Sequence, residues 1–82
     1  MMPYQVRLFA RARDLAGADT ITLELPERAT VGELRQRLEA AYPALAGLLH
    51  RSAFAVNNEF AADPLIIPPR AEIALLPPVS GG

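Results

Sequence analysis

The stretch Thr20-Ile21-Thr22-Leu23-Glu24-Leu25-Pro26-Glu27-Arg28-Ala29-Thr30-Val31-Gly32-Glu33-Leu34 changes its period part-way. Residues 20–25 alternate polar and apolar. That predicts a strand with Ile21, Leu23 and Leu25 facing a core and Thr20, Thr22 and Glu24 facing solvent. Pro26 cannot donate to a strand ladder and ends it. Thr30 and Glu33 then have the spacing of a capping box, with Thr30 as N-cap and Glu33 at N3. The predicted helix runs to about Tyr42, with Val31, Leu34, Leu38 and Ala41 on one stripe. Pro43 stops it, because the residue before a proline avoids helical backbone angles.

Upstream, Tyr4-Gln5-Val6-Arg7-Leu8-Phe9 also alternates, with Tyr4, Val6 and Leu8 on one side and Gln5, Arg7 and Phe9 on the other. Ala10 to Ala16 is rich in Ala, Arg and Leu and predicts a short helix closed by Gly17. Two strands joined by so compact a connection pair antiparallel. Downstream, Ala44 to Leu49 reads as a short helical turn. Ala53-Phe54-Ala55-Val56 reads as a third strand, turned by Asn57-Asn58. Turns open at Asp63-Pro64 and Pro68-Pro69. Glu72 to Leu76 is the last strand, ended by Pro77. The order predicts an α+β chain of the β-grasp, ubiquitin-like type, a mixed sheet packed by one main helix with short extra helices. The β-grasp domain is expected over residues 1–76, and residues 77–82 are expected to form an extended, flexible C-terminal tail ending in Gly-Gly.

The 82 residues suit a single domain with a modest core. Half are hydrophobic and 21% are charged, which favours folding over disorder. A net charge of −1 argues against nucleic acid or an anionic membrane as partner. No apolar run reaches membrane-spanning length and no secretory signal opens the chain, so a cytoplasmic location is expected. Cysteine is absent, which removes disulfides, thiolate metal sites and a cysteine nucleophile together. All eight basic residues are arginine. No lysine of the chain can therefore accept its own activated carboxyl group.

An ordinary active site is hard to assemble. There is no phosphate-binding glycine loop, and the single histidine, His50, sits in a polar junction expected at a helix end. Asp14, Asp19, Glu24, Glu27 and Glu33 are scattered over expected outer faces. What remains is the end of the chain, Leu76-Pro77-Pro78-Val79-Ser80-Gly81-Gly82. Pro77 and Pro78 favour an extended path. Gly81 and Gly82 lack a Cβ and fit a narrow slot. Six extended residues reach roughly 20 Å. The candidate reactive group is the α-carboxylate of Gly82, inert alone but convertible to an acyl-adenylate if a partner supplies ATP. A sulfur donor could then convert the adenylate to a thiocarboxylate, a nucleophile at neutral pH. Phe9, Phe60 and Leu76 fall out of core phase and are expected to form a docking surface. Arg7, Arg11 and Arg13 are expected on a solvated face.

Four stretches resemble the small subunit of molybdopterin synthase, a ubiquitin-like sulfur carrier family. Leu8-Phe9-Ala10-Arg11-Ala12-Arg13-Asp14-Leu15-Ala16-Gly17 is similar to its opening pattern, Thr30-Val31-Gly32-Glu33-Leu34 to its helix start, and Ala55-Val56-Asn57 to one of its strands. The segment from Leu76 to Gly82 is similar to its C-terminus. The resemblance implies that Gly82 is adenylated by an E1-like enzyme that holds ATP and Mg, and that this chain binds no cofactor itself. Sulfur then comes from a cysteine desulfurase or rhodanese-like protein. The thiocarboxylate enters the large subunit of a heterotetramer and donates sulfur to cyclic pyranopterin monophosphate, building the molybdopterin dithiolene. It also implies that Phe9, Phe60 and Leu76 contact that subunit and that Pro77, Pro78, Val79, Ser80 and Gly81 thread its site. Catalytic side chains would lie on the large subunit. A carrier for thiazole or cysteine synthesis, or a ubiquitin-like protein modifier, stays open. One stretch departs: Pro68-Pro69-Arg70-Ala71-Glu72-Ile73 replaces a Gly-Asp turn of the family, and an altered turn geometry is expected.

Overall fold

The computed structural model describes residues 1–78. The elements are β1 (Met2–Leu8), α1 (Ala10–Ala16), β2 (Thr20–Leu25), α2 (Val31–Ala41), a 3₁₀ turn (Pro43–Leu45), α3 (Ala46–Leu49), β3 (Ala53–Val56), β4 (Glu59–Ala61) and β5 (Ile73–Leu76). The five strands form one mixed sheet in the order β2-β1-β5-β3-β4. β1 pairs antiparallel with β2 and parallel with β5, and β3 pairs antiparallel with both β5 and β4. This is the expected α+β, β-grasp architecture. No helix among the described residues is long and apolar enough to cross a membrane.

Period-two alternation builds the inner face. Tyr4, Val6 and Leu8 of β1, Ile21 and Leu25 of β2, Phe54 and Val56 of β3, and Ile73 and Leu75 of β5 are all buried. α2 lies on that face through Val31, Leu34 and Leu38, and Leu45, Leu48 and Leu49 close the end of the core. Ala41, expected on the α2 stripe, is exposed. The stripe steps from Leu38 by four residues, not three, onto half-buried Tyr42, which packs against the core. Leu23 is only half-buried, because β2 is an edge strand.

The helix ends follow their signals. Gly17 takes φ 75° and donates its N–H to the Arg13 carbonyl at 2.9 Å, a left-handed cap that suits glycine. Thr30 Oγ1 accepts from the Glu33 N–H at 3.2 Å. Only this half of the expected capping box forms: the Glu33 carboxylate, instead of accepting from the Thr30 N–H, lies 3.9 Å from Arg37 Nε, one turn along the helix. The first amides of α2 are taken by a crossing loop: Val31 donates to the Leu65 carbonyl and Gly32 to that of Asp63, each at 3.0 Å. A Cβ on Gly32 would stand 3.3 Å from Asp63 Cβ, so glycine permits this close approach.

Arg35 fastens the same corner. Its guanidinium donates to the carbonyls of Leu49 and Ser52, pairs with Asp63 Oδ1 at 2.9 Å, and lies 5.0 Å from the Phe54 ring centre. His50 is exposed at the end of α3, 3.4 Å from a Glu39 carboxylate oxygen. The turn before β5 places Arg70 at φ 61°. A left-handed residue thus stands in this turn without a glycine. β5 starts at Ile73, one residue later than expected.

Candidate functional site

The outer face of the sheet is assembled by strand register. Thr20 lies opposite Arg7, Arg7 opposite Ala74, Ala74 opposite Ala55, and Ala55 opposite Phe60. One row therefore crosses all five strands. The next row joins Leu76 to Ala53. Phe9 keeps an extended backbone at φ −128° and ψ 155°. Continuing the Leu8–Leu75 register sets it alongside Leu76. Alanines floor the middle of this face and larger apolar side chains border it.

The three residues expected to dock a partner all reach this outer face. Phe9 is 40% exposed, Phe60 is 80% exposed, and Leu76 is half-buried. Leu76 keeps the outward phase of Ala74, opposite buried Ile73 and Leu75. Phe9 and Arg7 line a hollow of about 90 Å³ together with Ala55 and Ala74. Phe60 borders a second hollow of about 240 Å³, with Leu65 and Pro68. Large apolar side chains on one exposed face are an unusual feature for a small domain, and such patches mark interaction sites.

Local chemistry holds the border residues in place. Phe9 is the N-cap residue of α1, where the chain turns from strand to helix through Ala10 at φ 51°. The Arg7 guanidinium carbon lies 5.6 Å from the Phe9 ring centre, within cation–π range. Asn57 and Asn58 adopt φ 52° and 68°, the signs of a type I′ hairpin turn, and so set β4 beside β3. Asn57 also binds the start of β5. Its N–H donates to the Glu72 carbonyl at 2.8 Å, and its side-chain oxygen accepts from the Glu72 N–H at 2.9 Å.

Ala55 and Ala74 face each other across β3 and β5 and floor this surface. Their outward phase follows from the buried alternates Phe54, Val56, Ile73 and Leu75. Arg13 lies 4.0 Å from Asp14, with both side chains largely exposed.

Pro77 and Pro78 continue from the end of β5, a strand with neighbours on both sides. They leave at the end of the sheet that carries Leu8, Phe9 and Leu76. Val79, Ser80, Gly81 and Gly82, expected to thread a partner and carry the reactive carboxylate, lie outside the described residues.

A family model described as the ThiS family matches residues 6–82. The chain belongs to the ThiS family. The chain is 37% identical over 78 residues to the molybdopterin synthase sulfur carrier subunit of Arabidopsis thaliana, covering 95% of this chain and 81% of that protein. It is 31% identical over 81 residues to the protein of that name from Homo sapiens, covering 95% of this chain and 92% of that protein. The crystal structure of small archaeal modifier protein 1 of Haloferax volcanii superposes with a TM-score of 0.86 at 30% identity, covering 96% of this chain and all of that one. For this ThiS-family chain, the fold and the sequence resemblance therefore agree.

Proposed function

We propose that this chain is the sulfur carrier subunit of a molybdopterin synthase, with the C-terminal carboxylate of Gly82 as its sulfur-bearing group. The supporting observation is the family match through residue 82, on a chain whose relatives carry that name. The geometry fits the role, since β5 directs the tail from the end of the sheet where Phe9 and Leu76 border an apolar face.

In this reading an E1-like partner, using ATP with Mg, joins the Gly82 carboxylate to AMP and releases pyrophosphate. The persulfide sulfur of a cysteine desulfurase or rhodanese-like protein displaces AMP to form an acyl disulfide, and a second thiol cleaves its S–S bond, leaving a thiocarboxylate on Gly82 and a disulfide between the two thiols. The carrier docks through Phe9, Phe60 and Leu76 on a large subunit within a heterotetramer, with Pro77, Pro78, Val79, Ser80 and Gly81 threading its site. There the thiocarboxylate sulfur bonds to cyclic pyranopterin monophosphate, and water cleaves the acyl–sulfur bond, leaving one sulfur on the acceptor and a carboxylate on Gly82. Holding the sulfur beside its acceptor replaces a bimolecular encounter with a local one. The large subunit supplies the catalytic side chains, and this chain binds no cofactor.

Deletion of Gly82 tests the reading. Reconstituted with the large subunit, activating enzyme and sulfur source, the truncated chain is expected to form no molybdopterin while melting at the same temperature. Undiminished product would contradict it.

A second reading, a ubiquitin-like protein modifier, is favoured by the likeness to the archaeal modifier protein. The same activated Gly82 would then join a lysine of another protein, and such a lysine-linked adduct would distinguish it.

A further inference from the structure

The free edges of the sheet are not alike. β4 is a three-residue edge, too short to template much pairing. β1 is paired by β5 only from Val6 to Leu8, so its first half is also open on that side. There Pro3 stands in the same backbone phase as Arg7, and it has no N–H to offer. The outer edge of β2 has neither device. It is six residues long, with no proline and no basic residue.

The hydrogen-bond phase of β2 follows from one contact. The Leu8 N–H donates to the Asp19 carbonyl at 2.8 Å, in line with the register that pairs Arg7 with Thr20. Bonded and non-bonded pairs alternate in an antiparallel ladder. Ile21, Leu23 and Leu25 therefore turn their amides and carbonyls to β1, and Thr20, Thr22 and Glu24 turn theirs outward. These three residues are exposed.

We infer that this edge pairs antiparallel with the same edge of a second copy of the chain, about a two-fold axis at Thr22. That register sets Thr22 opposite Thr22 and Thr20 opposite Glu24, and each pair exchanges both backbone bonds. It sets Ile21 opposite Leu23, so the apolar sides of both sheets stay on one side. Charge selects the same arrangement: Glu24 meets threonine, whereas parallel in-register pairing would stack Glu24 on Glu24. A shift of the axis to Leu23 would place Thr20 opposite Pro26 and lose a donor. The two-fold sheet leaves the Phe9, Phe60 and Leu76 face and the end of β5 free, because β1 lies between β2 and β5. A single strand pair buries less than the area of a standard stable interface, so the association is transient, with a dissociation constant on the order of 0.1–1 mM.

Sedimentation of the full chain from about 10 µM to about 1 mM tests this. The native chain is expected to shift toward dimer across that range. Thr22→Lys and Thr22→Glu are each expected to stay monomeric with an unchanged melting temperature, since like charges then face each other on the outer side. An equimolar mixture of the two variants is expected to dimerise again. A native chain that remains monomeric at 1 mM would overturn the inference. So would a Thr22→Lys chain that dimerises like the native one, or a mixture that stays monomeric while the native chain dimerises.

Discussion

Three residues show how local geometry carries cost and placement. Ala10 and Arg70 hold positive φ values of 51° and 61° without being glycine, a conformation that costs an L-residue about 1–2 kcal/mol. Ala10→Gly and Arg70→Gly relieve that cost and give back part of it through the freer unfolded chain. Each is expected to leave stability unchanged or raise it by up to about 1 kcal/mol, read by urea denaturation. Arg35 is the opposite case. Removing it leaves the Leu49 and Ser52 carbonyls without their donor, so Arg35→Leu is expected to cost about 2 kcal/mol, a fall of roughly 10 °C in melting temperature. Asp63→Asn breaks a pair whose acid is more than half exposed and is expected to cost under about 1 kcal/mol. Equal losses in the two variants would place the anchoring in the ion pair instead. The Arg35 contacts were not legible in the sequence. Its acceptors are main-chain carbonyls 14 and 17 residues away, and a carbonyl leaves no mark in residue identity.

At the scale of elements, alternation and caps were enough. β2, β3, α1 and the start of α2 lie where their residue patterns set them, because each contrasts polar with apolar side chains or carries a named cap. The contrast fails at alanine. Ala41, on the predicted core stripe, is exposed, whereas Ala55 and Ala74 floor the outer face, small side chains that alternation alone does not mark as part of a surface. The apolar border of that face was legible, since Phe9, Phe60 and Leu76 break phase and are large. The docking role proposed for them gives a direct contrast between binding and folding. Phe9→Arg is expected to weaken binding to the large subunit about 30-fold, the loss typical of a hot-spot side chain. Its folding stability is expected to change by less than about 0.5 kcal/mol, because Phe9 is already partly in solvent. Leu76→Arg is expected to weaken binding similarly. Calorimetric titration beside thermal melts checks both. Parallel losses of binding and melting temperature would make these residues structural.

For the whole molecule, one inner core and one outer apolar face divide the work between the two sides of a single sheet. Phe54 is the largest fully buried side chain of the core, so Phe54→Ala is expected to cost about 3–5 kcal/mol, read by urea denaturation. The strand order was not legible, because β5 inserts between β1 and β3 through long-range pairing that no local pattern encodes. The proposed chemistry lies past the end of β5, where the sheet serves as a handle for a carboxylate that other proteins activate. The most direct measurement of that claim is the intact mass of the full chain isolated from cells containing a matching activating enzyme and sulfur source. The account predicts a species heavier by one oxygen-to-sulfur exchange, mapped to Gly82. An unmodified chain, from cells whose activating enzyme thiocarboxylates another carrier, would contradict it.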